Sequence, residues 1–206
     1  MSKILFISDF DNTLADAYGE FGEGNIFRNK ALEDRELATE IYEKHRRWPD
    51  DIVEYHKLLE EYEIVEPYIF FRNAGMQDQL FPDTISFLES LQQDPEITTV
   101  ILTTWDEDLQ QLKIDLTNIE RYVDEVFVTR DRDKTQHIRD LYEKFEPDHV
   151  VFLDDRIHMG EDDFGFPITI LDMDRNGGKK GNYVVHRLEE VRPFLQVAKQ
   201  NEQRNN

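Results

Sequence analysis

The sequence predicts an α/β fold: a parallel sheet with helices on both faces, plus a small α-helical subdomain inserted after the first strand. Three observations predict it. Short apolar runs rich in β-branched and aromatic residues recur along the chain, and segments of helical periodicity separate most of them. Such alternation is typical of a parallel sheet between two layers of helices. The first two runs are separated by a longer stretch, in which helical periodicity repeats without a strand.

The predicted strands are short. They cover residues 4–7, 100–102, 123–128, 150–153 and 167–171. Unbroken apolar runs indicate strands that are buried on both faces, as parallel strands between helices are. The third run contains two acidic residues, so we expect it nearer an edge of the sheet. A turn and a final helix follow the fifth strand, and the polar residues 199–206 are expected to fray.

Two aspartates follow the first strand. Asp9 comes directly after the apolar run and Ser8, and Asp11 follows two positions later. Asn12 and Thr13 favour turns and caps, so both carboxylates are expected at the carboxyl end of a buried strand. Ligands of open α/β sheets bind at that edge. Crowded carboxylates repel each other unless a cation lies beside them, and hard oxygen ligands suit Mg²⁺.

The inserted stretch reads as a loop and helices. Residues 16–29 contain three glycines, and residues 31–47 have helical periodicity. A second helix, which Asp50 or Asp51 can cap, is ended by Glu66 and Pro67, and a less certain segment covers residues 68–80 around Gly75. The domain prediction is therefore a core of residues 1–15 and 81–206 and an inserted subdomain of residues 16–80. Its cations available to an anionic ligand are Arg28, Lys30, Arg46, Arg47 and Arg72.

Polar side chains also follow the later strands. The second strand runs into Thr103 and Thr104, whose hydroxyls can donate to an anion without adding charge. Lys134 precedes the next predicted helix, where the helix dipole slightly disfavours a cation, which indicates a further role. The fourth strand runs into Asp154 and Asp155. Glu161, Asp162 and Asp163 are alternatives that fit a loop better.

The amino-acid composition limits the kinds of partner that we expect the protein to bind. The 206 residues include 24 basic and 45 acidic residues, which gives a net charge of −21. Nucleic acid and anionic membranes repel such a surface, so we expect neither as a partner. The chain has no cysteine, which removes disulfides and thiolate chemistry. No apolar stretch has the length of a signal peptide or a membrane span, and we expect a cytoplasmic protein.

Four apolar residues followed by Ser8 and the pattern Asp-x-Asp-x-Thr-Leu resemble the first motif of the haloacid dehalogenase superfamily, in particular its aspartate-nucleophile phosphatases. The resemblance implies a Rossmann-like core, a helical cap in place of the inserted subdomain, and a Mg²⁺-dependent phosphatase. It would act on a small phosphorylated substrate through an aspartyl-phosphate. Asp9 would be the nucleophile, Asp11 the general acid and base, and Thr103 and Lys134 the second and third motifs. Thr104, Arg130 and Arg132 are weaker alternatives for those two motifs.

The end of the fourth strand, with Asp154 and Asp155, resembles the fourth motif of this superfamily but departs from its commoner form. The resemblance implies a metal site of Asp9, Asp11, Asp154 and Asp155, with Asp11 contributing its backbone carbonyl. Asp154 stands where the commoner form has glycine, and Met159 stands where it has a further aspartate. The chain therefore matches a paired-aspartate variant, in which Asp155 is the preferred ligand and Asp154 is either a ligand or a support. A phosphomutase and an inactive phosphate-binding regulatory protein remain alternatives, and the oligomeric state is open.

Overall fold

The computed structural model describes residues 3–22, 25, 26, 29, 59, 60, 63–158 and 164–205. The strands are β1 (Ile4–Ser8), β2 (Ile97–Thr104), β3 (Glu125–Thr129), β4 (His149–Asp154), β5 (Ile168–Met173) and β6 (Val184–Val185). The described α-helices are α1 (Pro67–Asn73), α2 (Thr84–Gln92), α3 (Glu107–Thr117), α4 (Thr135–Phe145) and α5 (Arg192–Asn205). Short 3₁₀ helices cover Met76–Asp78, Ile119–Tyr122 and Leu188–Val191.

The strands form one parallel sheet in the order β3-β2-β1-β4-β5-β6. The chain builds β2 and β3 on one side of β1 and then crosses to the other side for β4 to β6. The carboxyl ends of β1 and β4 therefore lie side by side at the point where the strand order reverses. Crevices at such a point are where open α/β sheets bind ligands.

The core lies on both faces of the sheet, because successive strand residues point in opposite directions. In β1, Ile4 and Phe6 pack into a cluster with α2 and α5, whereas Leu5 and Ile7 pack into a second cluster with α4. All five residues of β1 are buried. Burying a side chain of this size contributes roughly 1.5–3 kcal/mol. The α/β class with helices on both faces is confirmed.

Three details of the core differ from the prediction or refine it. Val184 and Val185 form a sixth strand, whereas the sequence predicts only a turn and a final helix after the fifth strand. Strand β3 lies at the edge of the sheet, as its acidic residues indicate. The prediction of a frayed tail from residue 199 was wrong within the described residues, because α5 continues to Asn205 and the ammonium of Lys199 lies 2.6 Å from Asp94.

The inserted stretch leaves and re-enters the core at adjacent positions. The N–H of Phe81 donates to the carbonyl of Leu14 at 3.0 Å, and the N–H of Asp16 donates to the carbonyl of Gln79 at 2.8 Å. The helix predicted at residues 31–47 falls outside the described residues, and so does most of the helix predicted from residue 50 or 51 to residue 66. Of the latter, residues 59 and 60 are described as helical, whereas residues 63–66 are not helical. The division into core and inserted subdomain stays a prediction.

The described end of the insertion packs against α3. Phe71 and Met76 are buried with Leu109 and Leu116 in a cluster separate from the two faces of the sheet. The weak segment predicted around Gly75 is two short helices, because Gly75 takes a left-handed φ of 89° between them. Among the described helices none has the length and apolar character needed to cross a membrane.

Candidate active site

Carboxylates from two distant segments meet at the carboxyl edge of the sheet. Ser8 pairs with Leu153 in the register of β1 and β4, and the N–H of Asp9 donates to the carbonyl of Leu153 at 2.8 Å. This register brings Asp9 beside Asp154 and Asp155. One ligand oxygen from each of the three carboxylates lies within 4.8 Å of the others. Asp9 and Asp154 are buried, and Asp155 is partly exposed.

A buried ammonium joins two of these acids. Lys134 directly precedes α4, and its Nζ donates to Asp9 Oδ1 at 2.6 Å and to Asp154 Oδ2 at 2.8 Å. Its side chain is 6% exposed, so both ion pairs are shielded from water. Charge-assisted hydrogen bonds of this kind are about twice as strong as neutral ones. The structure thus brings Lys134, Asp9 and Asp154 together.

The acids outnumber the ammonium in this cluster. Burial raises the pKa of Asp9 to about 8, and the charges of Asp154 and Asp11 add to the rise while Lys134 opposes it. Burial and the charge of Asp154 raise the pKa of Asp155 to about 6. Burial alone would lower the pKa of Lys134, but the charges and hydrogen bonds of Asp9 and Asp154 outweigh it and raise that pKa. The site therefore has excess negative charge, which a further cation would relieve.

The donor set fits a divalent cation. Three carboxylates around one point are hard oxygen ligands of the kind that Mg²⁺ prefers. The oxygens of Asp154 already accept hydrogen bonds from Lys134 and from the N–H of Arg156, at 2.8 and 2.7 Å. Asp155 accepts a hydrogen bond from the side chain of Asn12, and its Oδ2 lies 3.7 Å from Arg156 Nε. The side chain of Asp155 is 18% exposed and that of Asp154 is 5% exposed, which favours Asp155 as the more accessible ligand of the pair.

Asp11 lies apart from the three clustered carboxylates. Its Oδ2 accepts a hydrogen bond from Gln110 Nε2 at 2.7 Å, and its Oδ1 lies 2.5 Å from Lys113 Nζ. Its charge nevertheless acts on both Asp9 and Asp155. The prediction that the backbone carbonyl of Asp11 contributes to a metal site stays a prediction.

The two candidate threonines differ in their hydroxyl partners. Thr103 is fully buried, and its hydroxyl has no hydrogen-bond partner within the part of the chain that the structure describes. The hydroxyl of Thr104 donates to the carbonyl of Asp131 at 3.2 Å. A buried hydroxyl without a partner is unusual in a folded protein. Within the described residues the hydroxyl of Thr103 is therefore uncommitted, as are those of Thr13 and Thr135, while Thr104 uses its own within the protein.

The turn after β1 is held by a distant arginine. Asn12 has a left-handed φ of 57°, which asparagine tolerates better than most residues. The guanidinium of Arg175 donates to the carbonyl of Thr13 from Nε at 3.1 Å and from Nη2 at 2.6 Å. Its Nη1 donates to both oxygens of Asp83. Its Cζ lies 4.2 Å from the ring centre of Phe81. Arg175 thus ties the turn that carries the acids to the segment that returns from the insertion.

Solved structures provide the comparison, since no protein-family model and no curated protein matches the sequence. A HAD phosphatase from Thermococcus onnurineus matches with a TM-score of 0.66 and 22% identity, over 95% of this chain and 98% of that chain. A magnesium-bound HAD-type hydrolase from Bacillus subtilis matches with a TM-score of 0.60 and 14% identity, over 95% and 99%. A haloacid dehalogenase-like family protein from Streptococcus pneumoniae matches with a TM-score of 0.56 and 17% identity, over 94% and 98%.

The chain has the haloacid dehalogenase fold. Within this fold, Asp9, Lys134, Asp154 and Asp155 lie in one cluster. Arg130 and Arg132, the weaker candidates, are exposed. Residues 159–163, with the alternative acids Glu161, Asp162 and Asp163, lie outside the described residues. So do the cations Arg28, Lys30, Arg46 and Arg47 of the insertion, whereas Arg72 is described and exposed.

Sequence reasoning missed four residues around this cluster of acids. They are Gln110, Lys113, Arg156 and Arg175. Gln110 and Lys113 are three residues apart on α3, so the helical periodicity places both of them on a polar face of this helix. No local signal distinguishes a polar residue that faces solvent from one that faces a buried carboxylate. Their sequence separation from Asp11 is about 100 residues, so only the folded chain reveals the contact.

Proposed function

We propose that the chain is a Mg²⁺-dependent phosphatase that hydrolyses small phosphoric monoesters through an aspartyl-phosphate intermediate. The observation that supports this most is the cluster of Asp9, Lys134, Asp154 and Asp155 at the switch point of the sheet. A carboxylate, an ammonium and further acids at one crevice supply a nucleophile, a phosphate-binding cation and metal ligands together. The haloacid dehalogenase fold, which a phosphatase also adopts, agrees with this assignment.

Asp9, Asp154 and Asp155 would hold the cation, with the backbone carbonyl of Asp11 as a further candidate ligand. When bound, Mg²⁺ would supply the positive charge that lets an anionic carboxylate approach an anionic phosphate. Lys134 contributes to the same end, because its ammonium already lies 2.6 Å from Asp9 Oδ1. With Mg²⁺ bound, its charge would add to that of Lys134 and would favour the ionised form of Asp9, against the burial that raises its pKa to about 8 in the metal-free protein.

Phosphoryl transfer then follows from the residues in place. A carboxylate oxygen of Asp9 forms a bond to phosphorus while the bond from phosphorus to the ester oxygen breaks. Asp11 donates a proton to the departing oxygen, which leaves as an alcohol. Lys134 and the hydroxyl of Thr103 stabilise the phosphoryl oxygens as their charge redistributes.

Hydrolysis of the aspartyl-phosphate restores the enzyme. Asp11, now ionised, takes a proton from water, and the water oxygen bonds to phosphorus while the bond to Asp9 breaks. Inorganic phosphate leaves, and Asp11 is again protonated and can act as the acid in the next cycle. The inserted helical segment would act as a cap that excludes bulk water from the reactive ester and selects the substrate.

The test is a screen of phosphorylated metabolites with Mg²⁺, comparing the wild type with Asp9→Asn. We expect the wild type to release phosphate from at least one ester and the variant to lose turnover while it stays folded. Water labelled with heavy oxygen separates the alternatives, because a phosphatase incorporates the label into phosphate and a phosphomutase does not. A folded protein that binds Mg²⁺ and hydrolyses no ester would instead favour a phosphate-binding regulatory role.

A further inference from the structure

The carboxylate of Asp11 contacts two side chains of α3 that have no role in the proposed phosphatase mechanism. Gln110 donates to one carboxylate oxygen of Asp11 at 2.7 Å, and the ammonium of Lys113 lies 2.5 Å from the other. Gln110 also donates to the carbonyl of Thr104 at 3.3 Å, which ties it to the end of β2. Both oxygens of Asp11 are therefore held by groups from one turn of one helix.

The lysine is a costly residue to place here. Lys113 is completely buried, and its ammonium lies 5.8 Å from the ring centre of Phe10. A buried ion pair often contributes no more to stability than well-packed apolar side chains of the same volume. Methionine would fill a similar space without a charge to desolvate. Fold stability therefore does not account for a lysine at this position, whereas a task involving the carboxylate does.

Helix α3 is anchored so that these two side chains have little freedom. Asp106 caps its first turn, with Oδ1 accepting from the N–H of Leu109 at 3.1 Å. Ile114 packs into the main core on the sheet, while Leu109 and Leu116 pack against the described end of the insertion. The helix is thus fixed on two sides, and it holds the amide of Gln110 and the ammonium of Lys113 beside Asp11 from a rigid support.

We infer that Gln110 and Lys113 are positioning residues that orient the carboxyl group of Asp11 for proton transfer to and from the ester oxygen. The inference rests on the proposed function, because it gives Asp11 the role of acid and base. The hydrogen bond from Gln110 and the ion pair with Lys113 hold the carboxyl group in one orientation before substrate arrives, so a proton transfer needs no search among rotamers. Without them, Asp11 would still lie in the site but would sample several orientations.

The dependence on the leaving group tests the inference. A p-nitrophenolate leaves as a stable anion and needs little protonation, whereas an alkyl alcohol needs a proton in the transition state. We expect Lys113→Met to lower kcat/KM for an alkyl phosphate by about 100-fold, and for p-nitrophenyl phosphate by less than about tenfold. Gln110→Leu should show the same pattern. Lys144→Met, which removes a more exposed lysine from its ion pair with Glu125, is the matched control and should change neither value.

A second measurement follows the contact itself through urea unfolding midpoints. Asp11→Asn leaves the buried ammonium of Lys113 without its carboxylate and should lower the midpoint. Adding Lys113→Met to that variant should restore it. Equal losses on both substrates, or no loss, would overturn the role in proton transfer, and failure of the double variant to recover would overturn the contact. If the wild type hydrolyses neither ester, the proposed function fails together with the catalytic role, and the midpoints alone still decide the contact.

Discussion

Replacing Asp9 with asparagine is expected to stabilise the metal-free protein while it removes turnover. The two effects have one cause, because the carboxylate needed for attack on phosphorus is also a charge buried among other acids. Asp9 is 6% exposed, and the charges of Asp154 and Asp11 act on it. Asparagine has nearly the same shape and no charge. The ammonium of Lys134 keeps an opposite charge in the variant, since Asp154 lies 2.8 Å from it.

The size of the effect follows from the pKa of Asp9. Burial raises that pKa from its ordinary value of 3.8 to about 8 in the folded protein. A pKa that is higher in the folded state contributes stability below the unfolded value, and this contribution is lost as the pH rises through the folded value. Each pH unit in that interval corresponds to about 1.4 kcal/mol. The metal-free wild type should therefore lose on the order of 5 kcal/mol between about pH 4 and about pH 8 as an upper bound.

Urea unfolding in the presence of a chelator measures this directly. The free energy of unfolding of Asp9→Asn should exceed that of the wild type by little at about pH 5 and by several kcal/mol at about pH 8. Mg²⁺ should raise the stability of the wild type more than that of the variant, because a ligand stabilises the state that binds it. Asp140→Asn, an exposed aspartate on α4, is the control and should change little at either pH.

Two results would refute this reasoning. A variant that is less stable than the wild type at about pH 8 would mean that the ionised carboxylate of Asp9 is well compensated without metal. A stability difference that does not change with pH would lead to the same conclusion. Separately, activity of Asp9→Asn within about tenfold of the wild type would reject Asp9 as the nucleophile, since removing a nucleophile costs far more than that.

Three further predictions concern other parts of the site. Thr103→Val should keep or raise stability but lower kcat/KM by roughly 10–100-fold. Thr104→Val should cost about 1 kcal/mol of stability and leave kcat/KM unchanged. The reverse pattern would make Thr104 the phosphate-binding residue. Gly75→Ala should destabilise by about 1–3 kcal/mol in urea unfolding, because φ is 89° and the new Cβ would lie 2.7 Å from an aromatic ring. Desolvation would raise the pKa of Asp83, but the hydrogen bonds and the charge of Arg175 help to hold that pKa below 3.8. Arg175→Met should therefore lower the free energy of unfolding, and this loss should shrink as the pH falls below 3.8, because Asp83 then becomes protonated and no longer pairs with Arg175.

Where the signal is local, the sequence predicts which acids meet at the edge of the sheet. An unbroken apolar run predicts a strand buried on both faces, and a carboxylate directly after it predicts a polar group at the edge of the sheet. Asp9 and the pair Asp154 and Asp155 satisfy both conditions, and the structure brings them within ligand distance of one another. Lys134 could be predicted as well, because a cation at the start of a helix contradicts the helix dipole. In each case the signal lies within a few neighbouring residues.

Other features could not be predicted from such signals. Val184 and Val185 form a strand of two residues, which is too short for a periodicity of two to be visible. The left-handed turn at Gly75 divides a segment that reads as one helix. A residue such as Lys113 looks like part of a solvated helix face until the packing of that helix is known. Local patterns do not contain the information about which helix face is covered.

The amino-acid order by itself therefore determined five of the six described strands, the acids at the ends of β1 and β4, and the resemblance of the first motif to that of the haloacid dehalogenase superfamily. The tertiary structure alone decided that Asp11 faces Gln110 and Lys113, that Arg175 holds the turn at Thr13, and that the hydroxyl of Thr103 is left without a partner among the described residues. The physical reason is range. Strand and turn preferences act between neighbouring residues, whereas ion pairs and buried hydrogen bonds join groups that only the packing of helices on the sheet brings together.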